Sequence, residues 1–412
     1  MKSDLDRLMD EAGLDALLVI GRGDHNPSLC YFTGSVNLTH GYVLKRRAQP
    51  PVLFHGSMER EEAAGTGMLT KNLDDYDYPT LLEQAGGDRN LASALRMARI
   101  FHDFGVQGRL ALYGHYEVGP AYGLFRRLER QVPGLEIVPE QSDRAALVQA
   151  RATKDTDEVD RIRQMGKTTA AVAADVAGYL TSHRVRDGVL VNREDEVLTI
   201  GEVKRRINLW LAMRGAENPH GTIFAAGRDA GIPHSAGQHD QPVPVGKAII
   251  FDLYPCEAGG GYFYDFTRTW AVGHASDELQ QLHQDVLEIY RSVFPRLHTD
   301  AACRDFQVKA CEEFQSRGHI TVMQDLHTER GYVHSLGHGL GLEVHESPNF
   351  THLEINQDRL LPGMVFTFEP GLYYPDREMG VRVEDTVWAR PDGGFEVLAE
   401  FPTDLVLKVP GG

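Results

Sequence analysis

Four acidic residues in the second half of the chain lie inside, or directly after, apolar segments that are typical of buried strands. They are Asp252 after residues 248–251, Asp265 within residues 262–272, Glu369 after residues 364–368, and Glu384 within residues 380–388. A buried carboxylate costs several kcal/mol unless it is paired or bound to a cation. A salt bridge explains any single acid as well as a metal ion does, and Arg268 is close enough in sequence to pair with Asp265. Four such acids together favour a shared cation site.

A histidine-containing segment strengthens this interpretation. Residues 333–346 contain His334, His338 and His345, interspersed with glycines. Glycine lets a backbone turn tightly and approach a ligand closely. A single histidine is usually structural, whereas a glycine-flanked cluster is a signal for a metal or catalytic site. His234 lies in a separate loop rich in proline and glycine, and by itself it predicts little.

The set of four carboxylates and one imidazole suits two divalent cations. Four negative charges then meet four positive charges, so the buried site is close to neutral. Oxygen-rich ligation favours Mn²⁺ or a similar hard cation over thiolate-bound zinc, with Co²⁺ or Zn²⁺ as the alternatives. Two cations that share carboxylates activate water at neutral pH, and this chemistry predicts a hydrolase.

The elements that carry these residues are predicted to be strands separated by long helices. Thr153 or Asp155 is a candidate N-cap for a helix that runs to about residue 182. Further helices are predicted at 195–214, 276–293 and 301–317. Because side chains alternate along a strand, Arg382 and Glu384 share one face, whereas the valines beside them face the core.

The first 150 residues alternate predicted strands and helices, which indicates an α/β domain. Strands are predicted at 16–20, 42–44, 51–54 and near 109–113, and helices at 4–13, 90–104 and 119–132. A charged stretch at 151–160 indicates the entry into a second domain. The predicted domains are therefore residues 1–152, an N-terminal α/β domain, and residues 153–412, which carry the candidate site.

Composition and charge exclude several classes of protein. The 412 residues are 42% hydrophobic and 25% charged, as expected for a globular protein with a large core. The net charge of -17 argues against a nucleic-acid partner, and no apolar run is long enough to cross a membrane. The polar N-terminus lacks a signal-peptide pattern, and the four cysteines lack metal-site spacing. These features predict a cytoplasmic protein with reduced thiols.

Taken in order, the motifs resemble the creatinase/aminopeptidase P/prolidase metallopeptidase family, whose catalytic domain has the pita-bread fold. The resemblance runs from about residue 153 to the C-terminus, and it rests on Asp252 and on residues 264–269, 334–348, 367–371 and 381–385. It implies an α/β N-terminal domain followed by an α+β pita-bread catalytic domain. The N-terminal part of the match, residues 15–19 and 29–34, is shorter. The interval of 13 residues from Asp252 to Asp265 is longer than is usual in the family.

The resemblance implies a metal-binding role for five residues. Asp265 and Glu384 would bridge two metal ions. Asp252 would complete the coordination of one ion, and His338 and Glu369 that of the other. Glu369 is also the candidate general base and acid, since it can accept a proton from the attacking water and pass it to the leaving nitrogen.

Five residues are implied to bind the substrate. His234 and His345 would donate hydrogen bonds to the substrate and to the developing oxyanion, which makes them catalytic candidates as well. His334 would shape the pocket for proline. Arg382 would hold a carboxylate, either Glu384 or the C-terminus of the substrate. Tyr373 is a candidate for the pocket wall, and a core position is an equal alternative for it.

The implied substrate is an Xaa-Pro dipeptide, so the chain most resembles an Xaa-Pro dipeptidase (prolidase). Aminopeptidase P, which removes the first residue from longer Xaa-Pro peptides, is the main alternative. A metal-free creatinase-type hydrolase and a non-catalytic binding protein share the fold, but all five ligand positions are filled here. An unrelated α/β protein with salt-bridged acids is a further alternative. The resemblance also implies a homodimer.

Overall fold

The computed structural model describes residues 2–34, 36, 38–141 and 144–410. The chain divides into two compact units. The first comprises Met1–Arg151 together with Ala258–Gly261, and the second comprises Ala152–Glu257 and Tyr262–Gly412. In the part of the chain that the structure describes, none of the helices combines the length and apolar character that a membrane crossing requires.

The first unit is built around a six-stranded mixed sheet with the strand order β4-β3-β2-β1-β5-β6. Its elements are α1 (Leu5–Glu11), β1 (Ala16–Gly21), α2 (Pro27–Thr33), β2 (Gly41–Arg46), β3 (Val52–His55), α3 (Arg60–Gly65), β4 (Leu69–Asn72), α4 (Tyr78–Gln84), α5 (Arg89–Asp103), β5 (Gly108–Gly114), α6 (Val118–Gln131), β6 (Leu135–Ile137) and α7 (Ala146–Ala152). Strand β1 pairs antiparallel with β2 and parallel with β5. The predicted α/β character of this region is thus confirmed.

Amphipathic helices cover the sheet of the first unit. Met97, Ile100 and Phe101 of α5 share one buried core with Leu18 of β1 and Leu128 of α6. The predicted helices and strands of this region agree with the structure to within a few residues at each end. The short elements α2, α3, α4, β4 and β6 were not predicted, because few residues give too weak a periodic pattern.

The second unit contains the candidate site. Its elements are α8 (Thr156–Thr181), β7 (Arg184–Arg186), β8 (Val189–Val191), α9 (Ile200–Ala212), β9 (Ala216–Glu217), β10 (Thr222–Ala226), β11 (Ala248–Leu253), β12 (Cys256–Glu257), β13 (Thr267–Val272), α10 (Asp277–Val293), α11 (Cys303–Ser316), β14 (His338–Gly339), β15 (Glu346–Asn349), β16 (Val365–Phe368), β17 (Gly371–Tyr374), β18 (Met379–Arg382), β19 (Asp385–Ala389), β20 (Phe395–Val397) and β21 (Val406–Leu407). The four predicted helices are present. Helix α8 is preceded by Asp155, whose backbone N–H donates to Glu158 at 2.7 Å.

Two sheets position the site residues. One has the order β10-β11-β13-β21, and the other has the order β15-β14-β16-β19-β20. A backbone bridge between Thr267 and Glu384 links β13 to the segment between β18 and β19. The core of this unit includes Val286 and Ile289 of α10, Phe314 of α11 and Phe366 of β16. The valines beside Arg382 belong to that core, as predicted.

Two of the predicted strands are shorter than expected, and both differences occur at acids of the candidate site. The strand predicted at 262–272 begins only at Thr267, so Asp265 precedes it. The strand predicted at 380–388 is interrupted after Arg382 and resumes at Asp385, which leaves Glu384 between two strands. At Asp265, a hydrogen bond to a side chain takes the place of backbone pairing between strands. The Asp265 backbone N–H donates to Thr386 Oγ1 at 3.2 Å.

Candidate metal centre and active site

Five buried or nearly buried side chains from both sheets converge in the second unit. Asp252 lies in β11, Asp265 precedes β13, and His338 begins β14. Glu369 follows β16, and Glu384 lies between β18 and β19. Asp252, Asp265, His338 and Glu384 are each less than one tenth exposed, and the Glu369 side chain is 13% exposed. The ends of two sheets therefore enclose a cluster of four carboxylates and one imidazole.

The distances in this cluster suit shared cation ligation. One ligand atom from each of Asp265, His338 and Glu384 lies within 4.8 Å of the other two. His338 Nε2 is 3.7 Å from Asp265 Oδ2 and 3.5 Å from Glu369 Oε1. These separations are longer than direct hydrogen bonds and leave room for a cation between the donor atoms.

His338 is held in the tautomer that a metal ligand requires. Its Nδ1 lies 3.1 Å from Gly339 O, so Nδ1 carries the proton and donates it to that carbonyl. Burial, together with nearby His345, lowers the pKa of His338 to about 3. The imidazole is therefore neutral near pH 7, and its Nε2 lone pair faces the carboxylates.

Neighbouring donors orient three of the carboxylates. The backbone N–H of Phe266 donates to Asp265 Oδ1 at 2.9 Å. Thr267 Oγ1 donates to Glu384 Oε2 at 2.6 Å, and Thr367 Oγ1 donates to Glu369 Oε1 at 3.2 Å. Each carboxylate keeps a second oxygen that these bonds do not use. Such outer hydrogen bonds fix the orientation of metal ligands in known sites.

Burial and mutual repulsion raise the pKa values of these acids. Burial raises the pKa of Asp265 well above its usual range, and the neighbouring Asp252 and Glu369 raise it further. The pKa of Glu384 is raised in the same way, by burial and then by Asp265. Burial raises the pKa of Glu369 to about 7, partly offset by Arg382. The positive charge of Arg382 is therefore too small to balance the negative charges of these acids.

The residues present fit a pair of divalent cations. Asp252 Oδ1 is a buried oxygen that has no hydrogen-bond partner among the described residues. An orphaned buried carboxylate oxygen is costly unless a cation binds it. The donor set contains carboxylate oxygens and one imidazole, which suits Mn²⁺ and related cations.

Arg382 binds a carboxylate that was not among its predicted partners. Its NH2 donates to Asp252 Oδ2, its Nε donates to Thr267 Oγ1 at 3.1 Å, and its NH1 donates to the Tyr373 hydroxyl at 2.7 Å. Thr267 Oγ1 in turn donates to Glu384, so Arg382 reaches that carboxylate through Thr267. Arg382 is 3% exposed, so its guanidinium approaches Asp252 from the buried side of the cluster.

The suggested local pair between Asp265 and Arg268 is wrong. Arg268 NH2 instead donates to Asp385 Oδ1 at 2.7 Å, and its NH1 donates to Glu384 O at 2.8 Å. This guanidinium joins β13 to β19 behind the site. It leaves Asp265 without that cationic partner, which strengthens the case for a metal ion there.

His334 and Tyr373 form a chain of hydrogen bonds that leads to Arg382. His334 Nδ1 donates to Ser335 O at 2.7 Å, so its Nε2 accepts from the Tyr373 hydroxyl at 2.9 Å. Burial, followed by the charge of Arg382, lowers the pKa of His334 to about 3. Tyr373 is fully buried. It links the two side chains from the interior, which favours the core alternative for its ring and a positioning role for its hydroxyl.

His345 and His234 lie on the exposed side of the cluster. The His345 ring centroid is 4.2 Å from that of His338. Partial desolvation, and then the nearby imidazole of His234, lowers the pKa of His345. His234 follows Pro233, whose carbonyl accepts from Arg382 NH1 at 3.4 Å. Both imidazoles are therefore on the solvent-facing side of the carboxylate cluster.

Two glycines of the histidine segment allow close packing between strands. A Cβ atom on Gly337 would overlap the carbonyl oxygen of Thr367, and one on Gly339 would overlap that of Ser347. Larger residues at these two positions would therefore push the strands apart. The expected role of the glycines in letting the backbone approach a ligand stays a prediction.

Sequence reasoning did not identify the hydroxyl groups that orient the carboxylates. Thr267 lies two residues after Asp265, and Thr367 lies two residues before Glu369. Residues two apart on a strand share a face, so spacing was an available signal for Thr367 and Glu369. It gave none for Thr267, whose hydroxyl bonds to Glu384, 117 residues away. The signal was weak because threonine is also common in strands for its shape alone.

Comparison with protein families places the second unit in a known family of metallopeptidases. The model of metallopeptidase family M24 matches residues 160–391 of the chain. An Xaa-Pro dipeptidase from Pyrococcus horikoshii is 25% identical over 394 residues, which is 93% of each chain. An Xaa-Pro dipeptidase from Pyrococcus furiosus is 32% identical over 193 residues, or 47% of this chain. That second match spans about half of the P. furiosus protein, 51% of its length.

Solved structures share the fold over nearly the whole chain. The crystal structure of a prolidase from Pyrococcus horikoshii superposes with a TM-score of 0.72 at 22% identity, and the match covers 98% of this chain and 99% of that one. The expected architecture, an N-terminal α/β domain followed by a pita-bread catalytic domain, is confirmed.

Proposed function

Because the chain belongs to metallopeptidase family M24, we propose that it hydrolyses the Xaa-Pro bond of dipeptides with two divalent metal ions. The convergence of Asp265, Glu369 and Glu384 on His338 carries this proposal. The relative from P. horikoshii that aligns over 93% of the chain is an Xaa-Pro dipeptidase, which supports the substrate class. Residues 153–412 are the proposed catalytic domain, and residues 1–152 are the proposed N-terminal domain.

The proposed metal ligands are Asp252, Asp265, His338, Glu369 and Glu384. Mn²⁺ is the proposed ion, and Co²⁺ and Zn²⁺ are the alternatives, because an oxygen-rich set with one imidazole accepts all three. When bound, such ions supply Lewis-acid polarisation and lower the pKa of water. The orphaned Asp252 Oδ1 and the raised pKa values of Asp265 and Glu384 support this assignment.

Glu369 is the proposed proton-transfer group. Its carboxylate follows β16 within the cluster, and it can accept a proton from water and return it to a leaving nitrogen. His345 and His234 lie on the exposed side, where they donate hydrogen bonds to the substrate and to the oxyanion that develops at its carbonyl.

The proline side of the substrate is proposed to lie against His334. The Arg382–Tyr373–His334 chain of hydrogen bonds holds this imidazole neutral and fixes its ring. Arg382 acts on the substrate indirectly, because its NH2 is engaged by Asp252. Tyr373 is a positioning residue for the same reason, since its hydroxyl is shared by Arg382 and His334.

A cytoplasmic location and a homodimer complete the proposal. The four cysteines are buried and are not joined in disulfides, which supports a reducing compartment. The homodimer is supported by family membership, and sedimentation of the purified protein at about twice the mass of one chain is the expected result.

The activity is tested with Ala-Pro and Ala-Pro-Ala in the presence of Mn²⁺. We expect cleavage of the dipeptide, loss of activity with a chelator, and recovery when Mn²⁺ is restored. Cleavage of the tripeptide would identify an aminopeptidase P instead. Retained activity in protein with less than one equivalent of divalent metal would indicate a metal-free hydrolase of the same fold.

A further inference from the structure

Lys154 and Glu346 form an ion pair that is almost completely shielded from solvent. Lys154 Nζ lies 2.9 Å from Glu346 Oε2, and the two side chains are 2% and 4% exposed. The pair joins residues that are 192 positions apart in the chain, and neither side chain belongs to the proposed metal ligands. Because a buried ion pair is often no more stabilising than apolar side chains of similar volume, stability alone does not explain this pair.

The carboxylate of Glu346 closes the loop that carries His345. Its Oε1 accepts from the backbone N–H of Leu342 at 3.0 Å and from that of Glu343 at 3.2 Å. His345 directly precedes Glu346, so the imidazole lies between the two ends that these bonds hold together. The other carboxylate oxygen, Oε2, accepts from Lys154. Glu346 therefore uses one oxygen for the loop and the other for the ammonium group.

Lys154 approaches Glu346 from a fixed backbone position. The Lys154 N–H donates to Gly363 O at 2.8 Å, and the Gly363 N–H in turn donates to Ala389 O at 2.7 Å. The ammonium group also donates to Ala152 O at 3.3 Å. The anchor of the His345 loop is therefore tied to the sheet that contains β16 and β19.

A glycine at position 341 leaves room for the ion pair. A Cβ atom on Gly341 would lie 2.5 Å from Glu346 Oε2 and 2.8 Å from Lys154 Cε. Both distances are shorter than van der Waals contact. The two buried side chains cannot move away from such an atom without breaking the bond between them. A larger residue at position 341 would therefore separate the lysine from the glutamate.

Loss of the ammonium group would weaken both bonds that close the loop. A buried carboxylate without a cation either binds a proton or turns toward solvent. Protonation removes the negative charge from the carboxylate, and reorientation moves Oε1 away from the N–H groups of Leu342 and Glu343. In either case His345 would lose the fixed backbone that sets the direction of its imidazole.

We propose that Lys154 and Glu346 are positioning residues, which hold His345 in the orientation that it needs to contact the substrate. The inference rests on the proposed Xaa-Pro activity and on the hydrogen bond proposed for His345. Stabilisation of a developing oxyanion depends on a donor fixed at about 2.7–3.1 Å from it, and a misplacement of about 1 Å can cost about 10²-fold in rate. The pair acts on the reaction through the loop.

A double-mutant cycle on the full chain loaded with Mn²⁺ tests whether the pair acts through His345. Lys154→Met removes the charge and keeps an unbranched side chain, and we expect kcat/KM for Ala-Pro to fall about tenfold. In protein that also carries His345→Ala the imidazole is absent, so Lys154→Met should cause little further loss. Lys247→Met, which breaks a pair with Glu378 whose side chains are 51% and 55% exposed, is the control that should leave kcat/KM unchanged.

A second variant gives a result even where Lys154→Met does not fold. Lys154→Met/Glu346→Leu removes both charges, so no buried charge is left unpaired, and the apolar replacement should keep the protein folded. It also removes the acceptor for the N–H groups of Leu342 and Glu343, so we expect the same loss of about tenfold. The Mn²⁺ content of each variant should equal that of the unaltered protein, because His345 is not a proposed metal ligand.

Three results would overturn the inference while the Xaa-Pro activity stands. Equal losses of kcat/KM with and without His345→Ala would show a general structural contribution. The absence of any loss would show that the pair has no effect on the reaction. Loss of Mn²⁺ from the variants would show that the pair supports the metal site instead. Failure of the unaltered protein to cleave Ala-Pro would reject the proposed activity itself, and the inference would fall with it.

Discussion

Glu369 shows how burial can prepare a single residue for chemistry. Its side chain is 13% exposed, it accepts from Thr367 Oγ1 at 3.2 Å, and burial raises its pKa to about 7. This value belongs to the protein without metal, because bound cations lower the pKa of a carboxyl group. The same carboxylate is a proposed metal ligand, so it joins ion binding to proton transfer.

Replacing Glu369 by Gln tests this dual role. The amide cannot accept and return a proton, so we expect kcat for Ala-Pro to fall by about 10²–10⁴-fold while the protein still folds. Steady-state kinetics and the thermal midpoint check the two expectations. Glu329→Gln, at an exposed acid before the histidine segment, is the control that should retain full activity. Full activity in Glu369→Gln would remove this residue from the mechanism.

The Tyr373 hydroxyl offers a second test at the residue scale. Replacing Tyr373 by Phe deprives the buried Arg382 of an acceptor and His334 of a donor. A buried group left unsatisfied costs about 1–3 kcal/mol, and we expect KM for Xaa-Pro dipeptides to rise as His334 loses its fixed orientation.

The neighbouring tyrosine provides the matched control for this variant. The Tyr374 hydroxyl bonds to His319 at 2.7 Å and belongs to a separate network. Tyr374→Phe should therefore lower stability without the same rise in KM. Equal kinetic effects in both variants would contradict the positioning role of Tyr373.

Among the elements, β13 and β19 depend on one buried guanidinium. Arg268 of β13 is 2% exposed and contacts Asp385 of β19, the carbonyl of Glu384, and two carbonyls of the segment that precedes β21. Asp385 also accepts from the Tyr290 hydroxyl of α10 at 2.8 Å. Arg268 therefore fixes the backbone position of Glu384 without contacting its carboxylate.

Replacing Arg268 by Met should remove this connection between elements. The change leaves Asp385 buried without its cation, and breaking a buried pair in this way costs about 3–5 kcal/mol. Denaturant unfolding measures the resulting loss of unfolding free energy. Arg317→Met, which removes a pair with Glu288 whose two side chains are 27% and 43% exposed, should cost less than about 1 kcal/mol. Similar losses of unfolding free energy in the two variants would show that the buried pair contributes no more to stability than the exposed pair.

On the scale of the whole molecule, the metal site links stability to pH. The pKa of Glu369 rises from its ordinary value of 4.5 to about 7, and those of Asp265 and Glu384 rise as well. The folded protein without metal therefore binds more protons than the unfolded chain between these values. The stability that these three acids contribute in their protonated form is fully present below about pH 4.5 and is lost as the pH rises through about 7.

Chelation should expose this dependence. We expect the thermal midpoint of the metal-free protein to fall between pH 5 and pH 7.5, while the protein loaded with Mn²⁺ changes less because the cations replace the protons. The gap between the two midpoints should widen as pH rises. A difference between the two thermal midpoints that stays constant across this pH range would show that the protein balances the carboxylate charges without metal.

The sequence alone determined the types of the site residues and the elements that carry them. Apolar periodicity located α5, α8, α10 and the strands β1, β11 and β16, because burial of one face imposes a regular spacing. Acids at the ends of such strands, and histidines between glycines, indicated a cation site, because buried charge requires compensation. The family resemblance then supplied the bond that is cleaved.

Only the tertiary structure decided how the charges are paired. Arg382 is separated from Asp252 by 130 residues, and Arg268 is separated from Asp385 by 117. Local spacing cannot predict such partners, because several acids are equivalent to an arginine until the sheets are assembled. The strand breaks at Asp265 and Glu384 were hidden for the same reason. The Asp265 N–H donates to the side chain of Thr386, and the backbone of Glu384 pairs with Thr267, so both positions depend on residues more than 110 positions away in the chain. The five proposed ligands were thus apparent as a set, and their geometry depended on contacts between residues far apart in the chain.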